Sequence, residues 1–113
     1  MGEQRYIKPI TKEPVTSATE LLSTTIIVPE EPVVKLLQIR GLLASSYSGT
    51  FRYTLVKTDT HYNQNFDVAV AADNIYEEIN LMCEQGDSII LSTSSSAPAG
   101  THYFEVFFGT DRV

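Results

Sequence analysis

Tryptophan is absent from this 113-residue sequence, cysteine occurs once, and no apolar run approaches the length of a membrane-spanning helix. Because a disulfide needs two cysteines, Cys83 cannot form one within the chain. A spanning helix needs about 20 predominantly apolar residues, so no membrane partner is expected. Bulk comes instead from six Tyr and five Phe, and a chain of this length can bury a hydrophobic core as one domain.

Basic residues are missing from nearly half of the chain. No Lys or Arg lies between Lys57 and Arg112, whereas nine acidic residues fall in that span, and the formal net charge is −6. A surface of this charge repels a phosphate backbone. We therefore expect neither nucleic acid nor anionic lipid as a partner.

Side chains that carry catalysis or bind metals are sparse. His61 and His102 are far apart in sequence, and Cys83 is expected inside a strand as a small apolar residue, so no metal site and no cofactor are predicted. Glu77 and Glu78 would point to opposite strand faces and cannot act as a carboxylate pair. The sequence also has no glycine-rich phosphate loop and no serine in a nucleophile-elbow context. We do not expect an enzyme.

A pair of strands around one glycine is the clearest structural signal. Apolar and polar residues alternate from Ile79 to Glu84, with Leu81 and Cys83 on one face, as in a strand with one buried side. Gly86 and Asp87 are typical turn residues, and a second β-rich run, 89–91, follows them. The pattern predicts two strands that pair with each other through this tight turn.

The rest of the chain is predicted to form further short strands. The runs concerned are 24–28, 33–40, 50–57, 66–72 and 101–108. Gly41 is expected to end the second run, with Leu42 and Leu43 as a possible extension past a bulge. Residues 44–49 are expected to form a loop with Tyr47 at its tip. Seven or eight strands at roughly ten-residue spacing favour an all-β fold, a jelly-roll-like antiparallel β-sandwich.

Alternation within these strands predicts the buried core. Its expected members are Leu37, Ile39, Phe51, Tyr53, Leu55, Leu81, Ile89, Leu91, Phe104 and Val106. The last strand is apolar on both faces between Tyr103 and Phe108, so it is expected to be covered on both sides. It carries more aromatic surface than one face needs, and part of that surface is expected to lie between protomers of a homotrimer.

The first 17 residues differ from the rest and are predicted to be an extended N-terminal arm, with the β-sandwich domain spanning residues 18–113. Prolines favour extended backbone and cannot donate to a strand ladder. We expect the arm to bind a neighbouring chain by strand addition, through apolar anchors and basic side chains. These partner-binding residues are Arg5, Tyr6, Ile7, Lys8, Pro9, Ile10 and Lys12. The alternative is an arm that folds back on its own domain.

The order of these elements resembles small virion structural proteins of tailed bacteriophages. The resemblance covers about residues 18–108 and includes a Thr-rich strand that ends in Val-Pro and a following Val-Val-Lys-x-Leu strand. It continues with a Leu…Gly-Asp-x-Ile segment, a Ser/Ala-rich turn and an aromatic last strand. The residues that carry it here are 23–29, 32–37, 81–89, 92–100 and 103–108. Gly-Asp-x-Ile turns also occur in other jelly rolls, including trimeric tumour-necrosis-factor-like modules.

The resemblance implies a structural role in a virion that is assembled in the host cytoplasm. The expected function is capsid decoration, or cement, in which the protein stabilises the head by binding the major capsid protein. The alternative is a receptor- or carbohydrate-binding module of a tail or head fibre. Tyr47, His61 and Tyr62, all expected on loops, would suit stacking against sugar rings.

Overall fold

The structure is a computed structural model that describes residues 3–31, 34–60 and 62–112. Every regular secondary-structure element in these residues is a β-strand. All strand pairs are antiparallel. The prediction of an all-β antiparallel sandwich is therefore confirmed. No helix that could span a membrane occurs in the described part of the chain. The strands are β1 Glu3–Tyr6, β2 Ile10–Lys12, β3 Val15–Thr16, β4 Leu21–Ile27, β5 Val34–Val56, β6 Asn63–Cys83, β7 Ser88–Ser96, β8 Gly100–Thr101 and β9 Tyr103–Arg112.

The long hairpin of β5 and β6 runs through both layers of a barrel-like sandwich. The first layer has the order β4-β7-β5-β6 and uses residues 51–56 of β5 and 63–72 of β6. In the second layer, β9 lies between two sets of partners: β1 and β2 on one side, and residues 34–42 of β5 on the other. The same residues of β5 pair on their other side with residues 74–83 of β6. Because two strands are shared, one hairpin fixes how the layers meet.

The hairpin passes between the layers where its register shifts, between Leu42 and Tyr47. The sequence suggested that Gly41 ends the strand, but β5 continues past it. This glycine stands opposite Phe104, and a Cβ on Gly41 would lie only 2.7 Å from the Phe104 ring, so glycine makes room for that ring inside the sheet. The predicted loop at 44–49 is also wrong, because Tyr47 is buried in the strand.

Most of the predicted core is buried, and both exceptions have a physical cause. Ile39, Phe51, Tyr53, Leu55, Ile89, Leu91, Phe104 and Val106 are buried as expected. Leu37 is only half-buried, because the register shift between Leu36 and Gln38 turns Leu36 into the core in its place. Leu81 is half-buried because β6 has a neighbouring strand on one side only among the described residues.

The predicted pairing across the Gly86-Asp87 turn is wrong. The two runs are strands, but β6 pairs with β5, and β7 pairs with β4 and β5. The turn carries the chain from the second layer to the first. Asp87 organises it: its buried carboxylate accepts hydrogen bonds from the amides of Thr58 and Glu84, at 3.0 and 2.9 Å, and from Lys57 Nζ at 2.9 Å.

The N-terminal segment folds onto its own domain, which is the alternative arrangement for the arm. Its first two strands lie along the outer edge of β9, and β3 pairs with β8. The amide of Ile7 donates to the carbonyl of Phe108 at 2.9 Å. β2 also approaches β4 of the other layer, so the segment helps to close the sandwich on the side away from β6.

Candidate binding face

The outer surface of the second layer is unusually aromatic. Successive side chains of a strand point to opposite faces, so the burial of Phe104, Val106 and Phe108 turns Tyr103 and Phe107 outwards. Tyr103 is 48% exposed and Phe107 is half-buried. The prediction that this strand is covered on both faces is therefore wrong within the chain.

Arg40 lies at the centre of this surface. Its guanidinium carbon is 5.6 Å from the centroid of the Tyr76 ring and 5.3 Å from that of Phe107, which are cation–π distances. Tyr76 stands directly opposite Arg40 on β6, and Leu42 stands opposite Tyr103 on β9. We call Arg40, Leu42, Tyr76, Tyr103 and Phe107 the aromatic face.

Hydrogen bonds hold one side of the aromatic face in place. Gln38 Nε2 donates to the hydroxyl of Tyr76 at 2.9 Å, and that hydroxyl donates to Glu78 Oε1 at 3.0 Å. The Tyr76 ring is thus oriented by Gln38 of the neighbouring strand β5 and by Glu78 of its own strand, while 48% of its surface stays exposed. An aromatic ring that is already oriented loses little conformational entropy when a partner covers it.

A shallow recess lies within this surface. Arg40, Gly41, Leu42, Tyr103 and Glu105 line it. It combines a ring face, an aliphatic side chain and charges of both signs. Tyrosine and arginine are among the residues that most often dominate protein–protein binding energy, and the same combination can stack on and hydrogen-bond to a sugar ring.

The sequence-predicted partner-binding residues are found at the edge of the same layer. Arg5 and Tyr6 belong to β1, and Lys12 belongs to β2. Ile7 and Ile10, the expected apolar anchors, are half-buried and pack against the chain's own core. Lys8 is exposed and Pro9 is half-buried between these strands. Binding of a neighbouring chain by this segment stays a prediction.

The aromatic residues expected on loops are not brought together. Tyr47 is buried, and its hydroxyl lies 3.0 Å from Ser95 Oγ, so it is part of the core. Tyr62 is 64% exposed, and His61 lies outside the described residues. A sugar-stacking site on these loops therefore lacks Tyr47.

Sequence reasoning did not identify the aromatic face. Arg40 and Tyr76 are 36 positions apart, and only the β5–β6 register makes them neighbours. The aromatic excess of the last strand is the one signal that points to this surface, and it predicts a doubly covered strand with part of its aromatic surface between protomers.

Two further observations concern Cys83 and the possible metal ligands among the described residues. Cys83 is buried, as predicted, and burial raises the pKa of its thiol to about 11, so it stays protonated near neutral pH. Across residues 3–31, 34–60 and 62–112, no group of three or more His, Cys, Asp or Glu side chains could hold a metal ion.

The chain matches no known protein-family model, and no curated protein is significantly similar to it.

Proposed function

We propose that this chain is a structural protein of a phage virion that decorates the capsid and stabilises the head by binding the major capsid protein. The aromatic face is the observation that carries the proposal, because it provides a contact surface whose side chains are already held by hydrogen bonds and cation–π contacts. The resemblance of residues 18–108 to small phage virion proteins supplies the kind of particle.

The composition of the aromatic face suits a protein partner. Leu42, Tyr76 and Tyr103 are each about half exposed although they are large and apolar. Contiguous exposed apolar surface on a small soluble domain commonly marks an interaction site. Arg40 adds a charge that is already stacked between two rings, so it can be covered with little further ordering.

The particle itself provides the first test. A decoration protein is present in hundreds of copies, whereas a receptor-binding protein is present in a few. Quantitative mass spectrometry of purified native particles should find this chain at a copy number comparable to that of the major capsid protein. A handful of copies per particle, or none, would contradict the proposal.

The binding surface is tested with purified protein and particles that lack it. Tyr103→Ala and Arg40→Ala should each weaken binding at least about tenfold, as expected for interface hot spots. Tyr62→Ala is the matched control, because Tyr62 is also an exposed tyrosine but lies outside the aromatic face. Equal affinity of all three variants would assign attachment to another surface, with the N-terminal segment as the next candidate.

The recess beside Tyr103 favours a second candidate function, a receptor- or carbohydrate-binding module of a tail or head fibre. Tyr103 provides a ring for stacking, and Arg40 and Glu105 provide charged hydrogen-bonding groups. A glycan array should then show binding that Tyr103→Ala abolishes.

The homotrimer expected from the sequence is part of the main proposal, and the mass of the isolated protein tests it.

A further inference from the structure

The outer edge of β6 is the longest free strand edge in the described part of the chain. β6 has 21 residues and pairs only with β5 there. The other edge strands are short or irregular: β4 has seven residues with a register shift between Leu21 and Ser23, and β1 and β2 have four and three. Short or bulged edges are the usual protection against unwanted strand pairing.

The two halves of β6 differ in how they are protected. In the second half, Glu77 stands opposite the buried Ile39 and therefore points towards the interior. An inward-pointing charge is a recognised device that prevents edge pairing. The first half, residues 63–72, has no inward charge, no register shift, and no Lys, Arg or Pro.

The inner row of the first half is apolar and incompletely covered. Phe66 and Val68 stand opposite the buried Tyr53 and Phe51, and Val70 stands opposite Gly49. All three pack against the core and yet remain half-exposed. A further strand added at this edge would cover them and also satisfy the free backbone groups.

From this edge we infer that two copies of the chain pair through residues 63–73 of β6, antiparallel and about a two-fold axis at Val68. An isologous contact requires a surface that is complementary to itself. With the axis at Val68, each Phe66 faces Val70 of the second copy, and each Asp67 faces Ala69. Small and apolar residues thus oppose each other, and no two like charges do.

The neighbouring registers are less favourable. An axis at Asp67 would place two carboxylates directly opposite each other, which destabilises a strand pair. An axis at Ala69 would extend the pairing past residue 73 into the half that Glu77 protects. A shift by a single residue in one strand would oppose inward and outward side chains. The axis at Val68 is the register that uses the unprotected half fully.

This pairing joins the first layers of two copies into one continuous eight-stranded sheet and ends at the short, irregular β4 edges. It does not depend on the proposed virion function. The β6 pairing predicts an even number of chains, either a dimer or two trimers whose β6 strands pair with each other. The trimer expected from the sequence needs no contact at β6.

Cysteine cross-linking tests the register. In Val68→Cys, the two new thiols would lie directly opposite each other, within the range that a disulfide spans. Mild oxidation should convert most of this variant to a covalent dimer. Ala71→Cys is the control on the same strand, because residue 71 faces residue 65 of the second copy, and it should stay uncross-linked. Cys83 is present in both variants and is buried.

Light scattering at tens of micromolar tests the contact without new thiols. The parent chain should show an even number of protomers, and Val68→Lys should halve that mass while circular dichroism shows an unchanged fold. A monomeric or simply trimeric parent would overturn the inference, and so would a Val68→Cys variant that does not cross-link.

Discussion

His102 Nε2 lies 2.9 Å from Thr16 Oγ1 in the interior of the protein, and this contact joins the N-terminal segment to the start of β9. The Thr16 hydroxyl donates its proton to the carbonyl of Pro98 at 2.9 Å, so it must accept from Nε2. The amide of Ala44 donates to Nδ1 at 3.1 Å. We therefore assign a neutral imidazole with its proton on Nε2.

This arrangement predicts pH-dependent stability. Burial lowers the pKa of His102 from its ordinary value of 6.5, and a proton on Nδ1 would oppose the Ala44 amide. Because the unfolded chain binds the proton more readily, the stabilisation is complete above about pH 6.5 and is lost as the pH falls towards the lower folded pKa. The segments that pack against His102 also carry the carboxylates of Glu13, Glu20 and Glu105, and all three are exposed.

Melting temperatures measured from about pH 7.5 down to about pH 5 should therefore fall. His102→Gln keeps a side-chain donor but cannot titrate. Its melting temperature should be lower than the parent's at the high-pH end of this range and should depend less on pH. An identical slope for the parent and His102→Gln would contradict the assignment.

Asp87 should contribute more to stability than any exposed acid in its turn. Breaking a buried ion pair by removing one partner costs about 3–5 kcal/mol, so we expect a loss of this order for Asp87→Ala in urea unfolding. Glu84 also contacts Lys57, at 3.2 Å, but it is largely exposed, and Glu84→Gln should cost less than about 1 kcal/mol. Similar losses in the two variants would disprove the organising role of Asp87.

Acid should act through the same carboxylate. Burial acts to raise the pKa of Asp87, but the Thr58 and Glu84 amides and Lys57 outweigh it, and the pKa is lowered overall. The stabilisation from Asp87 is therefore present above the unfolded value of about 3.9 and is lost as the pH falls below it. Asp87→Asn should lack this part of the acid dependence, as measured by unfolding between about pH 5 and about pH 2.

The register shift in β5 gives a direct comparison of two adjacent leucines. Leu36 is fully buried, so Leu36→Ala should cost about 2–5 kcal/mol of unfolding free energy. Leu37 is half-buried, and Leu37→Ala should cost clearly less. Urea denaturation of both variants checks the order, and a larger loss at Leu37 would restore the regular alternation inferred from the sequence.

The N-terminal segment is expected to stabilise its own domain. Ile10 packs partly buried against the core, and burying such a side chain fully is worth about 1.5–3 kcal/mol, so Ile10→Ser should cost roughly half of that. Lys8 is exposed, and Lys8→Ser should leave the melting temperature nearly unchanged. If Ile10→Ser also melts like the parent, the segment does not hold to its own body in solution, and the arm hypothesis gains support.

The sequence predicted the class of fold well and the pairing of strands poorly. Alternation identified the inward side chains of most strands, because the two-residue period follows from local backbone geometry. The turn at Gly86 was also recognised from its composition. Alternation contains no information about which strands lie side by side, so β6 and β7 were paired with each other although each lies beside β5.

By itself, the sequence determined an all-β chain with an acidic second half, one buried cysteine and a core of alternating apolar residues. Only the tertiary structure decided that one hairpin runs through both layers, that Arg40 lies between Tyr76 and Phe107, and that the N-terminal segment lies along β9. The reason is that backbone periodicity and residue preferences act locally. Strand partners, in contrast, are selected by contacts between residues far apart in the chain. These contacts form together when the whole core packs.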